Sequence, residues 1–431
     1  MKNKLKRVLG LTEAVFYGIG IIVGAGIFIL VGKAAGVAGN AVWLSFIISA
    51  IVASFTGLSY AELSSIFPKA SAEFIYVKRT YKNELWAFII SWLILFSGLA
   101  SIATVSLGFA SYANALFHIP IILAAPMVII FTSFLCYLGI KESSTVNIIL
   151  IAIQLLALAL IIALGMVTIF GSPKKINYFD MPFGFQGVLT AVTFTFFAYL
   201  GFEDIVNIAE ETKNPKKNIP RAIILALIIT TSIYVLTAIS AVSLVSWSEL
   251  SRSSAPLAFA TLKFLGNAGF IFISFAALIA TLTTIIGIII FVSRMMYGMA
   301  VERAFPKSFS FLHPKRKTPV TALVTIAIVS IMFLFFGKIE VLAQISTFGV
   351  IVSFIAVNLS LIWLRYMQPE LKRPFRAPLN IGKYPLTAFF GIFTCFLLLF
   401  QYPFPILGFS LVLVIGGLVY YICLKKLFNN F

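Results

Sequence analysis

Gly20-Ile21-Ile22-Val23-Gly24-Ala25-Gly26-Ile27-Phe28 is the stretch on which the fold turns. It lies in the middle of the first apolar run, where a helix ought to be continuous, and it carries glycines at 20, 24 and 26. Glycine inside a helix costs about 1 kcal/mol relative to alanine, so the segment is weakest at its centre. Two readings follow. Small residues four apart, such as Gly20 and Gly24, make a close helix–helix contact face. Alternatively the helix opens, which backbone at membrane depth tolerates only where protein or a water-filled cavity covers it. Its freed N–H and C=O groups then form a site for a small polar ligand. Spacing alone favours packing; a second interrupted run further along reverses that order.

Composition sets the environment. Of 431 residues, 61% are hydrophobic and 11% charged, the mean hydropathy is +1.06, and 44 are Phe. No soluble domain buries that much, so an all-α, polytopic membrane protein set in a lipid bilayer is expected. Cys136, Cys395 and Cys423 lie far apart in apolar runs, which argues against a disulfide framework or metal site. His118 and His313 have no partners for metal or nucleophilic chemistry, and His118 is expected at a membrane face. No cofactor or catalytic residue is expected.

Twelve apolar runs follow one another: 8–31, 42–66, 85–116, 121–138, 146–170, 185–211, 222–245, 270–299, 319–336, 340–364, 384–400 and 404–423. Each is near the ~20 residues that span ~30 Å of hydrocarbon. The first, after Lys2, Lys4, Lys6 and Arg7, is too long for a cleavable signal segment and is read as retained. Between the seventh and eighth, Pro256–Leu265 is amphipathic and reads as a short helix at the membrane surface. With the N-terminus inside, 26 of the 32 Lys and Arg fall on inner segments and six on outer ones (Lys33, Lys174, Lys175, Arg252, Lys263, Lys338). That bias predicts both termini in the cytoplasm of a cell-membrane protein. The net charge of +18 is thus an orientation signal with some attraction to anionic lipid, and nucleic acid is not an expected partner.

The sixth run is interrupted at Phe196-Phe197-Ala198-Tyr199-Leu200-Gly201-Phe202. Runs one and six open two groups of five, so the expected domains are 8–170 and 185–364, with 384–423 as two additional helices. Interrupted segments at matching positions of two halves point to a transporter binding site. At a break, a new helix N-terminus presents free N–H groups and partial positive charge, and a helix C-terminus presents free carbonyls. A pair of such breaks suits a zwitterion with both charges close together, as in an α-amino acid.

These residues, with four further motifs, carry a family resemblance. The first-run stretch, Tyr60-Ala-Glu-Leu-Ser-Ser-Ile-Phe-Pro-Lys69, Phe196–Phe202 with Ala209-Glu-Glu-Thr-Lys-Asn-Pro-Lys-Lys-Asn-Ile-Pro220, Arg294-Met-Met-Tyr-Gly-Met-Ala300 with Phe305-Pro306, and Arg373-Pro-Phe-Arg376 resemble, in order, motifs of the amino acid–polyamine–organocation (APC) superfamily. The branch most similar is that of prokaryotic relatives of the cationic amino acid transporters. The resemblance implies a five-plus-five inverted repeat of the LeuT type, broken helices 1 and 6, alternating access and an amino acid substrate. It places the substrate carboxylate at the backbone of Ala25 and Gly26, with Ile22 and Gly24 beside it. The ammonium goes to carbonyls of Phe197, Ala198 and Leu200 next to Gly201, and the Phe197 ring is an outer gate. Three departures stand out. Ala25 replaces the Thr or Ser of many relatives. Ser71-Ala72 replaces a glycine pair. The fifth-helix lysine of proton-driven relatives, twelve residues after the loop glutamate (here Glu142), is Gln154.

Other polar groups have two readings each. Glu203 and Asp204 face the cavity as proton sites or cation ligands, or lie on a solvated inner half-helix paired with Lys or Arg. Thr281, Thr283 and Thr284 face the first break, where Thr283 and Thr284 offer sodium ligands, or they bond back to their own helix. Glu13 favours the first helix N-terminus, Glu62 is an interfacial ion-pair partner, and Asn207 and Gln344 are polar packing residues. An exchanger or weakly coupled facilitator for small or aliphatic amino acids is the leading expectation. A proton- or sodium-coupled symporter, which also admits cationic substrates, comes next. A channel would need a continuous polar pore, and an enzyme would need a constellation that the sequence lacks.

Overall fold

The computed structural model describes residues 7, 9–68, 72–81, 83–139, 144–171, 176–209, 211–301 and 303–428. Lys2, Lys4, Lys6, Lys69, Ser71, Lys82, Glu142, Lys174 and Lys175 lie outside them, as do the side chains of Ala72 and Asn207. Fifteen helices account for most of the described chain: α1 (Leu11–Ile22), α2 (Ala25–Ala38), α3 (Val42–Ile66), α4 (Ala72–Tyr81), α5 (Glu84–Phe117), α6 (Ile121–Leu138), α7 (Ser144–Gly171), α8 (Gly184–Thr195), α9 (Pro215–Leu244), α10 (Trp247–Arg252), α11 (Pro256–Val301), α12 (Val320–Phe333), α13 (Ile339–Met367), α14 (Leu386–Leu399) and α15 (Phe404–Phe428). Among the described residues, nine helical stretches reach the length and apolarity of a membrane span, and Leu11–Ile22, Val320–Phe336 and Leu386–Leu399 are shorter apolar helices. The twelve runs map onto these helices, α1 and α2 together forming the first and α3 the second.

Helix α5 is the central post. Small residues recur around it (Ser91, Ser97, Gly98, Ala100, Ser101, Ala103, Ser106, Gly108, Ala110), which lets neighbouring backbones approach closely. A Cβ on Gly98 would sit 2.4 Å from Val292 of α11, and one on Gly108 2.4 Å from Ile29 of α2. Helix α13 packs along it with the Ser101–Ser346 hydroxyl pair buried between them. Large apolar side chains of α6, α14 and α15 point outward (Ile122, Phe131, Phe393, Leu411), as lipid-facing surface requires.

Some local structure departs from the sequence reading. The polar segment around Lys78 and Arg79 is helix α4, whose Tyr76 and Val77 are buried. Two short strands, Asn380–Ile381 and Tyr384–Pro385, pair as a hairpin before α14. The Pro256–Leu265 helix is present, and Gly266 (φ 56°) turns it into the eighth span. His118 ends α5 exposed, in the left-handed conformation. Glu13 accepts from the Gly10 N–H (2.9 Å), as a carboxylate in the first turn of a helix should.

Glu62 is an ion-pair partner, as expected, but a fully buried one. Its carboxylate is paired with Arg365 of α13, lies 3.4 Å from Nε of Arg373, and accepts the Ala377 N–H (2.8 Å). An unpaired charge there would be expensive, so the segment 373–377 is drawn over the C-terminal end of α3. The cause is the sequence-distant arginines, which separate the carboxylate from water.

Candidate substrate site at the two helix breaks

The first helix ends at Ile22, passes through Val23 (φ −76°, ψ 68°) and Gly24 (φ −109°, ψ −143°), and restarts at Ala25. The first N–H groups of α2 have no partners within their helix. That of Ala25 donates to Oγ1 of Thr284 (3.2 Å), which itself donates to the Ala280 carbonyl (2.8 Å). Helix α8 ends at Thr195. A 3₁₀ turn, Phe196–Tyr199, follows, then extended Leu200 (ψ 140°), then a 3₁₀ segment, Glu203–Ile208. Gly201 sits at φ 112°, a conformation open to glycine, and its N–H donates to the Glu203 carboxylate (2.9 Å).

The two breaks touch. A Cβ on Gly26 would lie 2.6 Å from Cα of Ala198, and one on Gly201 would lie 2.4 Å from Cγ2 of Ile21. The other first-break glycines also carry close contacts: Gly20 against Ile151 of α7 (2.2 Å) and Gly24 against Oγ1 of Thr284 (2.5 Å). Opening and packing, alternatives in the sequence, therefore coexist. The helix opens at 23–24, and its glycines admit a different neighbour on each side.

Tyr234 of α9, absent from the sequence reading, lies between the breaks. Its buried hydroxyl is 2.6 Å from the Ile22 carbonyl and 2.9 Å from the Ala198 carbonyl, so one proton is shared between one acceptor from each break. A signal existed: Thr230, Tyr234, Thr237 and Ala241 follow helical spacing on one face of an otherwise apolar run, and all four are buried. The Ala198 oxygen expected for the ammonium thus already accepts from Tyr234, and that of Phe197 accepts from the Leu200 N–H (3.2 Å).

Ala25, Gly26, Phe197 and Ala198 are buried, whereas Gly20, Ile21, Leu200, Glu203, Asp204, Thr283 and Thr284 keep partial exposure. Accessible surface lies on the α1 side of the contact. On the other side, Gly32 of α2 is buried against Leu250 and Pro256 of the α10 region.

Over residues 9–424 the chain matches the family model for amino acid permeases. It belongs to that family. The branched-chain amino acid permease BcaP of Bacillus subtilis is 31% identical, with 99% of this chain and 94% of that one covered. A methylthioribose transporter of the same organism is 30% identical (98% and 95%). Human cationic amino acid transporter 4 is 28% identical, over 90% of this chain and 64% of that protein. The permease is a transporter of the APC superfamily with its LeuT-type fold of about twelve helices, and not an enzyme; its function is amino acid transport.

Of the coupling candidates in this permease, Gln154 is buried against α11, its Nε2 3.4 Å from Oγ1 of Thr283, and its Oε1 has no hydrogen-bond partner among the described residues. Thr281, Thr283 and Thr284 all bond back to carbonyls of their own helix. The Asp204 N–H donates to the Gly201 carbonyl (3.0 Å), so Glu203 and Asp204 both tie into the second break rather than extending a regular inner half-helix. Gln344 donates to Thr193 of α8 (3.0 Å), in line with its packing assignment.

Proposed function

We propose that this permease is an exchanger or weakly coupled facilitator of free, small or aliphatic α-amino acids, working by alternating access. The observation that carries the reading is the contact of Gly26 with Ala198 and the Tyr234 hydroxyl shared between the breaks, which joins a donor-rich backbone edge to an acceptor-rich one. In it, the substrate carboxylate meets the first N–H groups of α2 at Ala25 and Gly26, beside Ile22 and Gly24. The ammonium meets carbonyls of Phe197, Ala198 and Leu200 next to Gly201, joining Tyr234 at the Ala198 oxygen. Apolar Ile22, Phe197 and Leu200 favour aliphatic side chains, and a branched-chain permease among the relatives supports that preference. Residues 8–170 and 185–364 form the two repeats, and 384–423 the added helices. The bias of Lys and Arg to alternate segments supports cytoplasmic termini in a cell membrane, with the accessible side of the site facing inward.

Gln154 is neutral at every working pH, so exchange rather than proton symport follows. One observation favours the other mode: the Glu203 carboxylate is partly exposed beside the second break and can take up a proton or a cation. The deciding experiment is uptake of a radiolabelled amino acid panel and of methylthioribose into liposomes, with and without internal substrate and with an inward proton or sodium gradient. The expected result is uptake of branched or small amino acids, strongly stimulated by internal amino acid. N-acetylated and esterified analogues should not compete. Equal competition by those analogues, or uptake of methylthioribose alone, would remove the zwitterion reading; uphill accumulation driven by an ion gradient into substrate-free liposomes would remove the exchanger.

A further inference from the structure

Leu9 forms a parallel backbone bridge with the segment after the second break: its N–H donates to the Glu211 carbonyl (3.1 Å), and its carbonyl accepts from the Lys213 N–H (2.7 Å). That pairing brings Arg7 beside the start of α9. Here a cleft of about 410 Å³ is lined by Arg7, Pro68, Asn214, Lys216, Lys217 and Pro374, together with Pro215. The wall comes from the arm before α1, the end of α3, the start of α9 and the segment before α14. Among the described lining residues three are cationic and none is anionic. A cleft of one sign with low-dielectric walls focuses its field on a counter-ion, and an anion there relieves the mutual repulsion of the three cations. Arg and Lys together are the donor set that grips phosphate oxygens.

We propose that this cleft is a binding site for a phosphate group, held by Arg7, Lys216 and Lys217. The group belongs to a phospholipid headgroup or to a soluble phosphate compound. Neither the two breaks nor the transported substrate enters the proposal. The occupant ties the arm of the first span to the start of α9 and so stabilises the joined inner ends.

The test is the thermal unfolding midpoint of the full chain in neutral detergent. It is titrated with dihexanoyl phosphatidylglycerol, dihexanoyl phosphatidylcholine, or inorganic phosphate balanced for ionic strength. The triple variant Arg7→Gln, Lys216→Gln, Lys217→Gln is compared with a control that loses three exposed cations elsewhere, Lys307→Gln, Lys315→Gln, Lys372→Gln. A saturable rise with phosphatidylglycerol is expected in the wild type and the control, and the apparent affinity should weaken by at least about tenfold in the triple variant, since hydrogen bonds to charged groups are lost. Lys216→Arg with Lys217→Arg should retain the response. A rise with phosphatidylglycerol alone assigns the lipid headgroup, and one with inorganic phosphate also assigns a soluble compound. An equal rise with phosphatidylcholine, a triple variant that responds like wild type, or a control that loses as much as the triple variant overturns the site.

Discussion

The two interruptions are opposite in build although they lie against each other. The first is two residues, Val23 and Gly24, between α-helices of 12 and 14 residues. Its important edge is the N-terminus of a complete helix, so the partial positive charge of α2 is aimed by a rigid rod. The second, Leu200 to Phe202, separates 3₁₀ segments of four and six residues, whose hydrogen bonds have poorer geometry than those of an α-helix. It offers carbonyls from a softer backbone, propped by Tyr60, whose ring meets that of Phe202 edge-on, and by Glu73, which accepts from the Tyr60 hydroxyl (3.0 Å). In the proposed binding mode the first break therefore sets the place of the carboxylate, and the second supplies softer backbone acceptors for the ammonium.

The largest effect should come from the glycines at the contact. Gly26→Val drives a side chain into the Ala198 backbone, and Gly201→Val adds a strained φ to a clash with Ile21. Overpacking costs ~1–3 kcal/mol, which corresponds to roughly 5- to 150-fold in transport. Uptake by Gly26→Val should be the lower of the two, since backbone yields less than the tip of an isoleucine. Both proteins should remain monodisperse in gel filtration. Wild-type uptake by Gly26→Val would break the comparison at its contact.

Tyr234→Phe removes one hydroxyl and one donor from both breaks at once. Buried acceptors left unmade cost ~1–3 kcal/mol, so apparent substrate affinity should drop by about tenfold and the unfolding midpoint should fall. An unchanged affinity with a lowered midpoint would make Tyr234 a brace only.

The smallest effect concerns the prop beneath the second break. Burial pushes the Glu73 carboxyl above its ordinary range. The folded state therefore holds this proton more tightly than the unfolded chain does, and stability falls as pH rises above the usual carboxylate value through the raised one. Glu73→Gln still accepts from Tyr60 but has no charge to bury. Its unfolding midpoint should match wild type in acid and exceed it modestly at neutral pH; parallel curves would detach Glu73 from this role.

Much of this was legible because apolar runs and glycine clusters are local signals. The α3 and α6 boundaries fall where the hydropathy changes, and the first break lies inside the quoted stretch. The second was legible as a place but not as a shape, since nothing in Phe196–Phe202 distinguishes 3₁₀ turns from an opened α-helix. Helix α4 does not stand out among the apolar runs because its apolar stretch, Phe74–Val77, is only four residues long between Glu73 and Lys78-Arg79. Tyr234 and the arginine partners of Glu62 were missed for a different reason. Their roles depend on contacts between residues 36 and more than 300 positions apart, which one sequence does not pair.

The Glu62 network also has a history in time. The chain is made from its N-terminus, and Arg365 is synthesised 303 residues after the carboxylate it pairs with. Throughout that interval the second span holds a carboxylate without its final partners, and a charge in mid-membrane would be costly. Glu62 lies one turn from the end of α3, so its carboxylate is away from the middle of the span while it waits. The pair can close only once the tenth span has been made, so the C-terminal end of the second waits on a helix synthesised long after it.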